Sequence, residues 1–255
     1  RFFYGPPSER VLATLRSRLP VGFPAIIKSP RELTYPVGLD GEGKPMSSGI
    51  QSASFLNPSR FRCDVGEPFR RYLPSNVGAF VLQFPPHIDT WLDTQQFYGA
   101  LDHFLGDLSG TYPIAVEIRK REWLTSEYFA ILAAHQAAHV FQVWTDMPLP
   151  HQVVEAFPES LKTAPFLVCR ALVRPAFRYK DAVDAFHPYR ELRDPRPEIR
   201  NSIFHLFSMS RPLSVPVYTT VNNRLEGCAP LSVSEMRTEW EQREGAAPSC
   251  KQSWR

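Results

Sequence analysis

The chain has 255 residues, 43% of them hydrophobic and 22% charged, with a net charge of +3 at pH 7. That length suits one large domain with a sizeable core, and no apolar run approaches the roughly 18 residues that a membrane-spanning helix needs, so a soluble, cytoplasmic protein with no membrane partner is expected. The small positive charge does not support nucleic acid as a partner. Arg193, Arg196, Arg200 and Arg211 are interleaved with Glu191, Asp194 and Glu198, the pattern of a solvated surface rather than a phosphate-binding stripe.

The 25 prolines are about twice the usual share and fall between short apolar runs, as stiff connections between many small units do. Phe2 to Tyr4 reads as the end of a strand, and a start at Arg1 without Met reads as a chain cut upstream. Ser8 opens a helix to about Arg18, and Pro24 to Lys28 is the next strand. A stretch rich in Gly, Ser and Pro runs from Ser29 to Asn57, a length that is commonly functional. Pro58 to Leu73 is a helix, Gly78 to Phe84 a strand, Thr94 to Leu108 a helix and Ile114 to Arg119 a strand. Helix Ser126 to Ala137 leads to strand His139 to Trp144. A short helix at Gln152 to Phe157 precedes strand Phe166 to Leu172 and a long loop containing Phe186-His187-Pro188-Tyr189. Helix Glu198 to Ser208, strand Pro216 to Asn223 and helix Ser232 to Glu244 complete the series, with Ser232 and Glu235 spaced as a capping box.

Strands alternating with helices predict a parallel sheet. Six complete strands, the stub at Phe2 to Tyr4 and one strand upstream make eight, so the expected fold is α/β, a (β/α)8 TIM-like barrel with its first strand missing. One domain spans 1–244, and 245–255 is a tail. An open doubly wound sheet is the second choice, but it calls for a Gly-rich turn after an early strand, which this sequence does not contain.

Residues two apart on a strand share a face. In Ile114-Ala115-Val116-Glu117-Ile118-Arg119 the two charges therefore project together, opposite a purely apolar face. Lys28, Gln83, Gln142, Arg170 and Asn222 likewise come late in their strands, with Trp144 and Asp146 continuing the face of Gln142. Barrel active sites lie at the C-terminal strand ends, so this recurrence predicts a convergent polar mouth. Glu117 set among Lys28, Arg119 and Arg170 is expected to stay ionised, as a base or an orienting group, with Arg119 beside it. Lys28, Arg119 and Arg170 suit an anionic substrate, and Gln83, Asp146, Asn222, Asn223 and Gly227 complete the candidate binding set. The turn from Asn222 to Pro230 could hold phosphate through backbone N–H groups, with Gly227 permitting close approach.

His135 and His139 have the spacing of two metal ligands on one helix face, but Gln136 stands where a catalytic Glu belongs, and no metal site is expected. Cys63, Cys169, Cys228 and Cys250 form no CxxC pair and read as reduced thiols, with Cys169 a small core residue. No serine-hydrolase elbow is present, and the residues identify neither a cofactor nor an oligomeric state.

Gly78-Ala79-Phe80-Val81-Leu82-Gln83-Phe84-Pro85-Pro86 followed by Ala115-Val116-Glu117-Ile118-Arg119 and Trp123 resembles the YecE-like family, a domain of unknown function numbered 72. Phe3-Tyr4 with Pro6-Pro7, Lys28 followed by Glu32-Leu33-Thr34, and Val221-Asn222-Asn223 with Gly227 and Ala229-Pro230 resemble other elements of that family in the same order. The resemblance runs from Phe3 to about Met236 and implies a TIM-like barrel. It also implies an earlier strand carrying a Gly-Trp-x-Tyr-like segment, which this sequence lacks, and Thr34-Tyr35 stands where many members have Thr-His. It implies no reaction. The expected function is an enzyme acting on a small anionic or sugar-like substrate at the barrel mouth. The alternatives are a non-catalytic nucleotide- or nucleic-acid-binding module and a metal-dependent, isomerase- or endonuclease-like barrel with an ion near Glu117 and Asp146.

Overall fold

A computed structural model of the chain describes residues 5–40, 43–46 and 52–246. Six parallel strands form one sheet in sequence order: β1 (Ala25–Lys28), β2 (Val77–Gln83), β3 (Ile114–Glu117), β4 (Ala138–Val143), β5 (Leu167–Ala171) and β6 (Val217–Val221). Parallel strands need long crossovers, and helices fill them. Helix α1 (Glu9–Arg18) precedes β1, and α2 (Pro58–Phe61) and α3 (Glu67–Tyr72) join β1 to β2. Helices α4 (Thr94–Leu108), α5 (Ser126–Ala134) and α6 (Pro150–Ala156) occupy the next three crossovers. Helices α7 (Tyr179–Phe186) and α8 (Pro197–Ser210) lie between β5 and β6, and α9 (Asn223–Glu226) and α10 (Ala229–Ala246) follow β6.

The strand period separates two apolar faces. Phe80, Leu82, Ile114, Val116, Ile118, Phe141, Leu167 and Cys169 point to the helices and join the main core. Ile26, Ala79, Val81, Ala115, Ala138, Val140, Val168 and Tyr218 form a second cluster on the opposite face, where mostly small side chains suit the concave side of a curled sheet. The curl brings the two edge strands together: Ile26 and Lys28 of β1 and Thr220 and Val221 of β6 line one cavity of about 250 Å³. The sheet is thus a nearly closed, barrel-like α/β layer. Under the helices Phe61 meets Phe80, Phe104 and Tyr112 edge-on, with ring centroids 5.4, 5.8 and 5.3 Å apart, the arrangement that ring quadrupoles favour. Cys169 is a core residue as expected, its thiol pushed up to about 12 by burial. Among the described residues no helix is long and apolar enough to cross a membrane.

Three elements differ from the sequence reading. The helix expected over Pro58 to Leu73 is interrupted by a wide turn at Arg62–Gly66. Pro68 has no N–H to return to Asp64, which favours that local widening. The loop after β5 contains α7, whose Ala182 and Phe186 are buried one turn apart. The last helix begins at Ala229 rather than Ser232, because Asn223 Oδ1 accepts the Ala229 N–H at 2.8 Å. Ser232 is consequently buried inside the helix instead of capping it. The strand stub at Phe2 to Tyr4, residues Gly41 and Glu42, the Ser47-Ser48-Gly49 segment and Cys250 lie outside the described residues.

Candidate functional site

The inner face changes character at one end. Beyond Ile26, Val81, Ala115, Val140 and Val168, the next residues of the same parity are Lys28, Gln83, Glu117, Gln142 and Arg170. Register places them side by side, Gln83 against Glu117 and Gln142 against Arg170. The polar residues therefore gather at the C-terminal end of the sheet.

Glu117 is the hub of that end. Its side chain is 0% exposed, and those of Arg119 and Arg170 are 11% and 16% exposed. Arg119 Nε donates to Glu117 Oε1 at 2.9 Å, and Arg170 Nη1 donates to Oε2. Arg119 also donates from Nη2 to Gln83 Oε1 at 3.0 Å, and its guanidinium lies 3.9 Å from the Trp144 ring centroid. Strand β3 ends at Glu117, so Arg119 leaves the sheet and turns back over the carboxylate. Burial alone would raise the Glu117 carboxyl, but Arg170 and then Arg119 outweigh it and hold the group below the usual carboxylate range. Both oxygens serve the arginines, so Glu117 is an ionised anchor that fixes two guanidiniums.

Those guanidiniums face a cavity of about 350 Å³. Lys28, Arg119, Arg170 and Arg224 line it, with the rings of Tyr35, Trp144 and Tyr179 and the amides of Gln83 and Asn222. Among the described residues no carboxylate lines it. It adjoins the smaller cavity between the edge strands, sharing Lys28, Arg170, Leu172 and Asn222 with it. Burial, then Arg170 and Arg119, pull the Lys28 amine down to about 7 against the opposing pull of Glu117. Arg224 lies 4.2 Å from the Tyr179 ring centroid and donates from Nη1 to Asn222 Oδ1 at 3.2 Å. Asn222 in turn caps α9 by accepting the Arg224 N–H at 3.0 Å.

Lys28, Gln83, Arg119, Arg170 and Asn222 thus share one cavity, with Glu117 behind it. The other expected residues do not line it. Asp146 is exposed on the turn after β4. Asn223 is committed to the first turn of α10 through Ala229. Gly227 has φ +115°, and a Cβ there would lie 2.5 Å from the Glu191 carbonyl oxygen, so its missing side chain makes room for the chain at Glu191 to Arg193. Gln142 is buried and donates from Nε2 to the Ile118 carbonyl at 2.6 Å, closing the floor. Tyr179 and Arg224 were not among the expected site residues. The four-residue spacing of Ala182 and Phe186 and the position of Arg224 beside Asn222 were the available signals.

His135 and His139 part company. His135 Nε2 pairs with Asp102 Oδ1 at 2.7 Å, whereas His139 is buried among aromatic rings with Nδ1 3.1 Å from the Tyr128 hydroxyl. Burial depresses the His139 imidazole to about 3, so it is neutral. Among the described residues no group of three or more His, Cys, Asp or Glu could hold a metal ion. The arginine-rich segment is spent on carboxylates: Arg193 pairs with Glu191, Arg196 with Asp194 and Arg211 with Glu244. Arg200, expected at the surface, is only 4% exposed and clamps the buried Glu226 from Nε and Nη2 at 2.8 and 2.7 Å.

Residues 1–253 match the model of a family described as protein of unknown function DUF72. A DUF72 family protein from Thermotoga maritima MSB8 superposes with a TM-score of 0.64 at 18% identity, over 94% of this chain and 82% of that one. A DUF72 family protein from Enterococcus faecalis V583 gives 0.66 at 17% identity over the same shares. At such identities the likeness is one of fold. No curated protein matches the chain.

Proposed function

Since the chain belongs to the DUF72 family, whose description assigns no activity, we propose from its own geometry that it is an enzyme acting on a small organic anion at the C-terminal mouth of the sheet. One observation carries this reading: three arginines and the Lys28 amine, with no carboxylate among the described residues, line a cavity of about 350 Å³. Clustering like charges in a half-buried space is costly, and an anionic ligand would offset that cost. Glu117 neutralises part of the charge from behind and orients Arg119 and Arg170 toward the ligand. The Trp144 and Tyr179 rings support the faces of Arg119 and Arg224, and Gln83 and Asn222 offer neutral hydrogen bonds, a mixture suited to a carboxylated or phosphorylated small molecule with hydroxyl groups. In its finer form the fold is a (β/α)8 barrel. Among the described residues β1 and β6 each pair with one strand only, and two more strands between them would close the sheet.

The test is binding of orthophosphate and of a panel of sugar phosphates and small carboxylates, followed by titration calorimetry and thermal shift. A hydrogen bond to a charged group is worth about 1.5–3 kcal/mol, so Arg170→Met and Arg224→Met should each weaken a bound anion by roughly 10- to 150-fold. If no anion in the panel stabilised the wild type, or both variants bound it equally well, the reading would be wrong. Steeply salt-dependent binding to polynucleotides would favour the nucleic-acid alternative instead.

A further inference from the structure

Glu117 is the residue most easily cast as the proton-transfer group, yet it is fully buried and each of its oxygens accepts a guanidinium N–H. Lys28 is placed differently. It ends β1, and its side chain lines both adjoining cavities, on the path between the edge strands and the main mouth. Charged and titratable groups face it from several elements: Glu117 and Arg119 from β3 and its end, Arg170 from β5, with Arg224 of α9 and Tyr35 on the same cavity wall. A ligand whose acidic group meets the arginines is therefore brought against the Lys28 amine.

From this placement we infer that Lys28 is a nucleophilic amine, and that the anion taken up here carries an aldehyde or ketone carbon that Lys28 attacks. The inference rests on the anion-binding reading and names its substrate class: carbonyl compounds bearing a carboxylate or phosphate. The nitrogen forms a bond to the carbonyl carbon while the C=O π electrons move to oxygen, giving a carbinolamine. That oxygen then departs as water with both amine hydrogens, leaving a C=N bond, and a proton from solvent converts the imine to an iminium. No oxidant or reductant takes part. Attack requires an unprotonated amine, which neighbouring cations and burial favour. Lys28 is drawn down to about 7 by burial and then by Arg170. Against an ordinary lysine, its unprotonated fraction at pH 7.5 is larger by roughly two to three orders of magnitude.

Pyridoxal 5′-phosphate joins an aldehyde, a flat ring and a phosphate in one probe. Incubation with wild-type protein, reduction with borohydride and peptide mapping should place the adduct on Lys28, formed at least about tenfold faster than on Lys44, Lys120, Lys162 or Lys180, a margin well inside the difference in unprotonated fraction. Its rate should rise through about pH 7 and level off, following the lowered amine. Orthophosphate should suppress it, and Lys28→Arg and Lys28→Met should lack it. Mapping on the wild type keeps the test decisive if a variant fails to fold. Labelling spread over surface lysines, or labelling of Lys28 that climbs only toward pH 10.5, would overturn the inference. Orthophosphate stabilisation that Arg170→Met abolishes, with no adduct on Lys28, would sink the amine's role and leave anion binding standing. Absence of both effects would remove both.

Discussion

Replacing Glu117 with glutamine removes one negative charge at a point where two guanidiniums converge and water is excluded. The carboxylate is 0% exposed, against 11% and 16% for Arg119 and Arg170, so solvent cannot take its place. Removing one partner of a buried ion pair costs about 3–5 kcal/mol, because the remaining charge stays buried and uncompensated. The glutamine amide oxygen can still accept from one arginine, but its NH2 group then faces the N–H groups of the other. That argues for the full range rather than a fraction of it. For a chain of this size 1 kcal/mol moves Tm by about 2–4 °C, so Glu117→Gln should lower Tm by roughly 6–20 °C. Urea unfolding followed by tryptophan fluorescence and circular dichroism gives the free energy directly. A loss below about 1 kcal/mol, the scale of an exposed pair, would refute the hub: Arg119 and Arg170 would then be solvated, and Glu117 would not be fixing them.

The same variant carries a pH signature. The folded-state value of Glu117 lies below its ordinary one, because Arg170 and Arg119 outweigh burial. Its contribution is therefore complete above the unfolded value of about 4.3 and is lost as pH falls through the lower, folded value. The stability gap between wild type and Glu117→Gln should narrow as pH falls below about 4, apart from the change near neutrality where Lys28, whose amine Glu117 draws up against burial, titrates. A gap that widened below about pH 4 would show that Glu117 is not held ionised by the arginines.

Other parts of the fold give sharper local tests. His139, held near 3 by burial, contributes stability that is present above its unfolded value of about 6.5 and lost as pH falls toward the folded one. His139→Gln should thus remove about 2 kcal/mol of the wild type's loss between pH 6.5 and pH 5, measured by urea unfolding at the two pH values. Gly227→Ala places a Cβ 2.5 Å from the Glu191 carbonyl oxygen at φ +115°. It should cost at least about 2 kcal/mol in thermal unfolding while leaving orthophosphate affinity unchanged at temperatures where it is folded. Arg200→Met strands the buried Glu226 and should cost about 3–5 kcal/mol. A cost under about 1 kcal/mol would show that the buried Glu226 does not depend on that arginine.

The candidate site was legible where it depended on strand parity alone. That Glu117 follows Ala115 inward, as Arg170 follows Val168 and Gln83 follows Val81, needs no knowledge of the neighbours, because any strand alternates. Parity stops where the strand stops. Beyond Val143 the chain turns, and Asp146, two residues past Trp144, is exposed instead of lining the mouth. In the turn after β6 the structure gives two of the expected residues partners inside the fold. Asn223 accepts the N–H of Ala229, six residues on, and Gly227 packs under the chain at Glu191 to Arg193, a partner too far along the chain for spacing to reveal. Arg200 is the same case on a larger scale: its neighbours in sequence suggest a wet surface, while Glu226, Glu235 and Glu239 arrive from α9 and α10.

The resulting mouth has two parts of unlike origin. Lys28, Gln83, Glu117 and Arg170 stand on strands, with Arg119 just past the end of β3, and their positions are fixed by the same hydrogen-bonded register that holds the sheet together. Tyr179 and Arg224 stand on α7 and α9, short helices of the connections, and are positioned by each other and by Asn222. The first part can hold a charge rigidly without a ligand, because Glu117 supplies the counter-charge from inside the fold. Among the described residues the second has no buried carboxylate in that role, and its cation rests on ring faces and an amide. On the proposed reading, the fixed amine and the anion clamp are those on the strands, and Tyr179 and Arg224 complete the wall from the connections.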